Sequence, residues 1–401
     1  MPKRPSSSDS IQRPARHQPV SWLGGLTPDQ FMKRHWQKKP LLVRNAFPNF
    51  QPPVSIAEVL DLACDDLAEA RLIQRNPKGH RWTLAHGPFA PEEIPDLKKS
   101  HWTILVQQVN TRLRAADTFL DAFRFIPQAR LDDLMISVAG PDGGIGAHVD
   151  SYDVFLIQAG GTRRWEIAEQ FDPTLEENVP LKILKQFTAE HDWLLAPGDL
   201  LYLPPNVAHR GTAVGQGCMT WSVGFRAPGR VALADAVWAG HLDSLTDRNW
   251  QDPWLSASNA PAEIPKELME RLTNQVMKDL PNRKTVALGV ARSLSEPAQQ
   301  AVFDPPARPD KPGQFEKKIG QKGLRLACSS RVLYQGSSFF ANGEPLDLPK
   351  DRDALRLMKT LANDRQVSGA ELACCTGSTV LMSTLYEMYL AGWISYDYGV
   401  F

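Results

Sequence analysis

The chain has 401 residues, which at roughly 150 residues per domain predicts two or three domains. Its 45 Lys and Arg offset 45 Asp and Glu, and this zero formal charge excludes a global cationic field that would draw it to nucleic acid or an anionic membrane. With 42% apolar and 22% charged residues, it buries a full core and is not disordered as a whole.

The N-terminal residues 1–22 are basic and polar, lack the apolar stretch of a secretory signal, and read as a flexible tail. Order is expected from Thr27-Pro28-Asp29-Gln30, where Thr27 caps a helix, Pro28 suits its first turn and Gln30 completes a capping box. Phe31, Met32, His35 and Trp36 form its apolar face, Pro40 ends it, and Leu41-Leu42-Val43-Arg44 reads as a strand. A second helix fits residues 55–64, where Ile56, Val59, Leu60 and Ala63 recur at helical spacing. From 102 to 225 the pattern is one of short apolar segments bounded by Gly or Pro, as at Gly160-Gly161 and Pro197-Gly198. This pattern predicts a closed or double-sheet β structure such as a jelly roll. Helical periodicity returns at 231–245 and 265–280, the latter with Leu268, Leu272, Val276 and Leu280 on one stripe. Residues 295–318 carry Pro297, Pro305, Pro306, Pro309 and Pro312 and read as a linker. Beyond them a hairpin closes at Asn342-Gly343, and helices fit 351–363 and 378–391.

The cysteines are Cys64, Cys218, Cys328, Cys374 and Cys375, an odd number with no C-x-x-C spacing, which argues against a disulfide framework or a zinc ribbon. No run reaches the ~18 apolar residues of a membrane span, so a reducing, cytoplasmic setting is expected.

The segment Gly146-Ala147-His148-Val149-Asp150 is the most informative. In an extended strand His148 and Asp150, two apart, project to one face and set an imidazole beside a carboxylate. An isolated His-x-Asp pair is common without any site, but a third ligand is at hand. Pro197-Gly198-Asp199 turns into the apolar run 200–203, Pro204 ends it, and His209 follows on the next rim. Two His and one carboxylate on one face of a metal leave positions open, the facial triad of non-haem Fe(II) oxygenases. A structural zinc site would close with four ligands, usually including thiolates, and no cysteine neighbours these positions. His86, His101, His191 and His241, like His80, lie outside any ligand spacing.

The two segments resemble those of the cupin superfamily and its JmjC branch, with Asn206 where the family's turn carries glycine. A closer likeness runs through Asp133-Leu134-Met135-Ile136-Ser137, His148 to Phe155, Gly161-Thr162-Arg163-Arg164-Trp165 and Trp221-Ser222-Val223-Gly224-Phe225. With Lys38-Lys39-Pro40-Leu41-Leu42 upstream, these resemble the bacterial ribosomal oxygenases. The resemblance implies an α+β fold in which a double-stranded β-helix, the cupin/JmjC jelly roll, is followed by a helical dimerisation region and a C-terminal winged-helix-like domain. The expected division is a tail at 1–22, a catalytic domain at 23–230, dimerisation helices at 231–294, a linker at 295–318 and a winged-helix-like domain at 319–401.

The implied activity is that of a 2-oxoglutarate-dependent dioxygenase, with Fe(II) and 2-oxoglutarate as cosubstrate. It would hydroxylate the β-carbon of an arginine in the sixteenth large-subunit ribosomal protein. Histidine, asparagine or methyl-lysine hydroxylation, or a non-catalytic cupin binding module, are the alternatives. The metal would rest on His148, Asp150 and His209. Strand alternation lets only one of Arg163 and Arg164 face the barrel interior and does not choose between them; the resemblance assigns the cosubstrate carboxylate to Arg163, with Ser137 a possible hydroxyl donor. Asp133, Met135, Tyr152 and Ser222 match positions lining the family's substrate pocket, Asp133 being suited to pair a guanidinium. A homodimer is implied. The mixed charges of the C-terminal segment make it a packing or protein-contact module, and direct nucleic-acid binding is not expected.

Overall fold

The computed structural model describes residues 13–76, 78, 81–373, 375 and 377–396; His80, Cys374 and the first twelve residues of the expected tail lie outside them. Residues 13–22 depart from the expected tail. Arg16 donates to Asp29 at 3.1 Å, the Val20 amide reaches the Leu26 carbonyl at 3.0 Å, and Trp22 lies only 7% exposed against Phe47 and Phe123. One tryptophan suffices to pin a polar segment, since burying a side chain of this size contributes about 2–3 kcal/mol.

Helix α1 (Pro28–Arg34) opens on the expected capping box, with Gln30 N–H donating to Thr27 Oγ1 at 3.1 Å and Thr27 N–H to Gln30 Oε1 at 3.0 Å. It buries Phe31. Strand β1 (Leu41–Val43) follows, then α2 (Ile56–Ala63), capped by Ser55 and burying Val59 and Ala63. Next come β2 (Ala70–Asn76), β3 (Arg81–His86), β4 (Trp102–Val106), the short helices α3 (Val109–Arg112) and α4 (Arg114–Phe119), β5 (Leu131–Ala139) and β6 (His148–Val149). The long β7 (Asp153–Ala168), β8 (His191–Leu195), β9 (Leu200–Leu203) and the long β10 (Ala208–Phe225) complete the barrel. All pairings are antiparallel, in the order β1-β9-β7-β10-β5-β4-β2-β3, with β8 added to β7 and β6 to β10. This is the double-stranded β-helix expected from the sequence.

The strands β7 and β10 run beside each other for most of their length, and their register slips between Val214 and Thr220. The slip sits at Gly160-Gly161. Gly161 has φ +57°, and a Cβ there would come within 2.8 Å of the Gly217 carbonyl oxygen, so only glycine fits. An irregularity of this kind reverses which residues face inward. Val154 and Leu156 before the slip share an apolar cluster with Trp165 and Ile167 after it, while Phe155 and Ile157 join the aromatic core on the opposite face. That core also holds Trp22, Phe31, Phe119, Phe123, Tyr202 and Trp221, and it leaves the inner face of the barrel free to carry polar groups.

The chain forms two compact units, one of residues up to 227 with 297–330 and 348 onward, the other of 228–296 with 331–347. The second contains helices Arg230–Leu242, Lys266–Lys278 and Arg283–Ser295 together with three strands, Val332–Gln335, Ser338–Ala341 and Glu344–Leu346. The hairpin turns at Asn342-Gly343, with φ of +51° and +87°, as expected. It groups with these helices because Arg292 donates to the Gly343 carbonyl at 3.1 Å and pairs with Glu344 at 3.1 Å. The boundary expected at 318/319 therefore does not separate two compact bodies.

In the first unit the Pro-rich stretch is packed and is not a free linker. Helix Pro312–Lys322 starts inside it and buries Phe315 against Tyr389, while a Cβ at Gly392 would meet Asp304 at 2.7 Å. Here proline opens a helix at its first turn and does not mark a spacer. Among the described residues no helix is long and apolar enough to cross a membrane.

A buried ionic cluster ties the C-terminal segment to the barrel's own helices within this unit. Asp117 of α4 receives Arg114 at 3.0 Å, Arg124 at 3.2 Å and Arg365 at 3.3 Å. Arg365 also caps the carbonyls of Ser330, Ala327 and Cys328. Burial pulls the Arg124 guanidinium below its usual range, which marks the cost of enclosing it. Removing one partner of a buried ion pair strands the others, so Asp117→Ala is expected to lower unfolding stability by about 3 kcal/mol or more in chemical denaturation. A loss under about 1 kcal/mol would show that the guanidiniums do not depend on it.

Candidate metal centre

The two ligand segments meet by strand pairing. In β6 His148 lies directly opposite His209 of β10, and Val149 opposite Ala208. Asp150 follows β6, and its carbonyl accepts the Asn206 amide at 2.8 Å. Asn206 holds φ +64°, the left-handed turn for which glycine or asparagine is suited, so the family's glycine is replaced without loss of the turn. The ligand atoms of His148, Asp150 and His209 all lie within 4.8 Å of one another, with imidazole centroids 4.2 Å apart and His209 Nε2 3.6 Å from Asp150 Oδ2.

Each imidazole is oriented the same way. His148 Nδ1 lies 3.0 Å from the Gly146 carbonyl and His209 Nδ1 3.0 Å from the Val207 carbonyl, so both donate there and leave Nε2 bare toward the cluster. Burial pushes His209 down to about 4, helped by the neighbouring His148 and opposed by Asp150, so it stays neutral and able to ligate. Two bare imidazole nitrogens and one carboxylate suit a divalent ion such as Fe(II) and leave its other positions open.

The register slip resolves the arginine alternatives. Arg163 is 5% exposed and points inward, its guanidinium 5.7 Å from the Trp165 ring; Arg164 points outward to Asp192 at 2.8 Å. Arg163 Nη2 is buried without a hydrogen-bond partner among the described residues. Ser137 is buried on β5, opposite Thr220 of β10.

Along β5, Asp133, Met135 and Ser137 alternate onto one face, and Ser222 of β10 lies opposite Met135. The Asp132-Asp133 pair divides: Asp132 is held by Arg226 at 2.8 Å, while Asp133 accepts the Gln108 amide at 2.8 Å. Burial raises the Asp133 carboxyl to about 7, with the nearby Asp132 adding to the shift and the Gln108 amide opposing it. Tyr152 is 39% exposed and hydrogen-bonds Asp150; burial of its hydroxyl and the adjacent carboxylate raise the phenol.

Three interior residues escaped the sequence reading. Gln158, Thr220 and Cys218 are fully buried beside Arg163, and Arg163 Nε donates to Cys218 Sγ at 3.4 Å. Continuing the alternation inward from Ser137 to its partner Thr220, and on to Gln158, would have found them. Gly211 is also needed here, since a Cβ would press within 2.8 Å of the Trp165 ring. Of the remaining histidines, His86 and His191 are exposed and His241 bonds the Asp279 carbonyl; among the described residues the metal-suited cluster holds only His148, Asp150 and His209, and Cys375 is buried, as expected of a core residue.

A double-stranded β-helix in which two imidazoles and a carboxylate converge is the framework of a cupin-type metal centre, with the facial triad of a non-haem Fe(II) oxygenase. The JmjC domain family matches residues 118–233, and the ROXA-like winged helix family matches 275–395. A protein of Escherichia coli (strain K12) named ribosomal protein uL16 3-hydroxylase is 34% identical over 328 residues, covering 80% of this chain and 85% of that one. A probable ribosomal oxygenase of Haemophilus influenzae is 33% identical over 342 residues, with 80% and 82% covered. The structure of YcfD, a ribosomal oxygenase from Escherichia coli, in complex with cobalt and 2-oxoglutarate superposes with a TM-score of 0.78 at 30% identity, covering 92% of this chain and 98% of that one. The chain belongs to the ribosomal oxygenase family.

Anaerobic titration with Mn(II) is expected to give one ion per chain, and Asp150→Ala or His209→Ala to weaken binding at least about a hundredfold. Undiminished affinity in either variant would remove that residue from the ligand set.

Proposed function

We propose that this protein is an Fe(II)- and 2-oxoglutarate-dependent oxygenase that hydroxylates the β-carbon of an arginine in a large-subunit ribosomal protein. The observation that carries it is the convergence of His148, Asp150 and His209 inside a barrel whose inner face also holds the buried guanidinium of Arg163, with its Nη2 free of protein partners. When bound, iron and 2-oxoglutarate would supply, with dioxygen as the oxidant, an oxidative decarboxylation that yields succinate and carbon dioxide, one oxygen atom entering succinate and the other a C–H bond of the substrate.

The chain's own residues place the reactants. His148, Asp150 and His209 hold the ion, their ring orientations set by the Gly146 and Val207 carbonyls. Arg163 holds the distal carboxylate of the cosubstrate, with Ser137 as a hydroxyl donor. Asp133 receives the substrate guanidinium, Met135 and Tyr152 flank its aliphatic stem, and Ser222 adds a polar contact. A carboxylate half-buried on the inner face favours a cationic side chain over histidine or asparagine, and the planar guanidinium fits it in two-point fashion. The name of the Escherichia coli relative, ribosomal protein uL16 3-hydroxylase, supports a ribosomal protein as the substrate.

The same reading includes a homodimer in a cytoplasmic setting, with no nucleic acid bound directly. Helix Lys266–Lys278 buries none of its residues within the single chain and leaves Val276 62% and Met277 61% exposed, a face that suits a second copy. In light scattering the native chain is expected at twice its monomer mass, and Val276→Glu with Met277→Glu at monomer mass; a native monomer would end the dimer reading.

Incubation with large-subunit ribosomal protein, iron and 2-oxoglutarate is expected to add one oxygen to a single arginine by mass spectrometry, with stoichiometric succinate. Oxygen on histidine, or no succinate with or without peptide, would overturn the arginine assignment or the activity itself. Asp133→Asn is expected to lower kcat/KM by about thirtyfold, as when one side of a buried charge pair is lost. Because the free carboxyl is raised to about 7 and only its ionised form pairs a guanidinium, native kcat/KM should rise with pH through about 7 and level off above it. The Asn variant should lose that rise.

A further inference from the structure

The interior of the barrel holds a second layer of polar groups behind Arg163. Thr220 Oγ1 donates to Gln158 Oε1 at 3.1 Å, which fixes the amide and turns its NH2 toward the Gly160 carbonyl at 2.7 Å and the Cys218 sulfur at 3.6 Å. Arg163 Nε donates to the same sulfur at 3.4 Å. Gln158 and Cys218 are 0% exposed, Thr220 1% and Arg163 5%, so solvent does not compete for these bonds. The sulfur is an acceptor shared by two fixed donors, while Arg163 Nη2 remains buried and unpartnered.

A guanidinium offers a carboxylate either its Nε side or its terminal Nη edge. With Nε committed to Cys218, only the terminal edge remains. A carboxylate at position 218 would also hold Nε, but it would cancel the charge that an anionic ligand needs. A thiol sulfur is neutral and a weak acceptor, so it orients the group and leaves its charge available.

We infer that Cys218, backed by Gln158 and Thr220, is a positioning residue that turns Arg163 end-on toward the cosubstrate and so sets which length of 2-oxo dicarboxylate the pocket accepts. This rests on the proposed role of Arg163 in holding that cosubstrate. The chain from Thr220 through Gln158 to Cys218 fixes the sulfur's two donors, and the register slip at Gly160-Gly161 brings Arg163 onto their side of the sheet.

The test uses the full-length protein loaded with Mn(II) under anaerobic conditions, and measures binding of 2-oxoglutarate and the one-carbon-longer 2-oxoadipate by calorimetry. Cys218→Ala is expected to weaken 2-oxoglutarate about tenfold, the effect of losing one oriented hydrogen bond to a charged group, and to narrow its preference over 2-oxoadipate. Mn(II) affinity should stay as in the native protein, and Cys218→Ser, which keeps an acceptor, should recover most of the 2-oxoglutarate affinity. Native-like 2-oxoglutarate binding by Cys218→Ala would overturn the inference. So would equal weakening in the Ala and Ser variants, or a parallel loss of Mn(II) binding, since either marks Cys218 as core filling. Arg163→Met separates the two levels: if it binds 2-oxoglutarate as the native chain does, the reading of Arg163 fails, whatever the Cys218 variants show.

Discussion

The pairing of Asp153–Ala168 with Ala208–Phe225 is the constraint on which the site depends. These two strands supply His209, Arg163, Trp165, Gln158, Cys218, Thr220 and Ser222, and each faces inward only because the ladder slips by the amount that Gly160-Gly161 allows. Before the slip, even-numbered residues of the first strand line the barrel; after it, odd-numbered ones do. Had the pairing run without interruption, Arg164 would occupy the interior and Arg163 would meet solvent. The outward faces of the same strands carry the aromatic residues that anchor them, so a change in register would exchange apolar for polar groups on both sides at once.

Burial acts on the site's ionisable groups in opposite senses. It keeps the His209 imidazole neutral and therefore able to bind a cation through Nε2. It also lifts the Asp133 carboxyl toward neutrality, so that an incoming positive group is what restores its charge. Arg163 holds the complementary position, a cation whose terminal nitrogen has no protein partner. The zero net charge of the whole chain thus conceals a separated arrangement inside the barrel, with anionic groups beside the metal residues and along β5 and a cation enclosed in the same inner face.

The metal residues were legible because a His-x-Asp pair and a later proline-led turn ending in His are local patterns. Asn206, an apparent departure, kept the turn because asparagine accepts the left-handed conformation that it adopts. Arg163 could not be told from Arg164 by alternation, since two adjacent glycines do not announce how far a ladder will slip. Gln158, Thr220 and Cys218 were illegible for a related reason: each is an ordinary strand residue until its cross-strand neighbours are known. The capping box at Thr27 and the helix at Ser55 were readable from four residues each. The Pro-rich stretch and the N-terminal segment were misjudged because composition reports average polarity, while single residues such as Trp22 and Phe315 decide whether a segment docks. The grouping of the 331–347 hairpin with the 228–296 helices depended on contacts such as Arg292 with Glu344, which no local pattern encodes.

The Asp117 cluster bears on how divisible the molecule is. Its carboxylate stands one residue before the region that matches the JmjC domain, while one of its three guanidiniums comes from Arg365, far along the chain. Arg114 also reaches past Asp117 to the Leu326 carbonyl. A barrel cut off after its last strand would keep every metal residue, yet it would lose the C-terminal cover of α4 and open a charged, formerly dry surface to water. Catalytic and winged-helix segments are separate as sequence families but meet in one buried ionic cluster, so a cut between them divides a carboxylate from one of its guanidiniums.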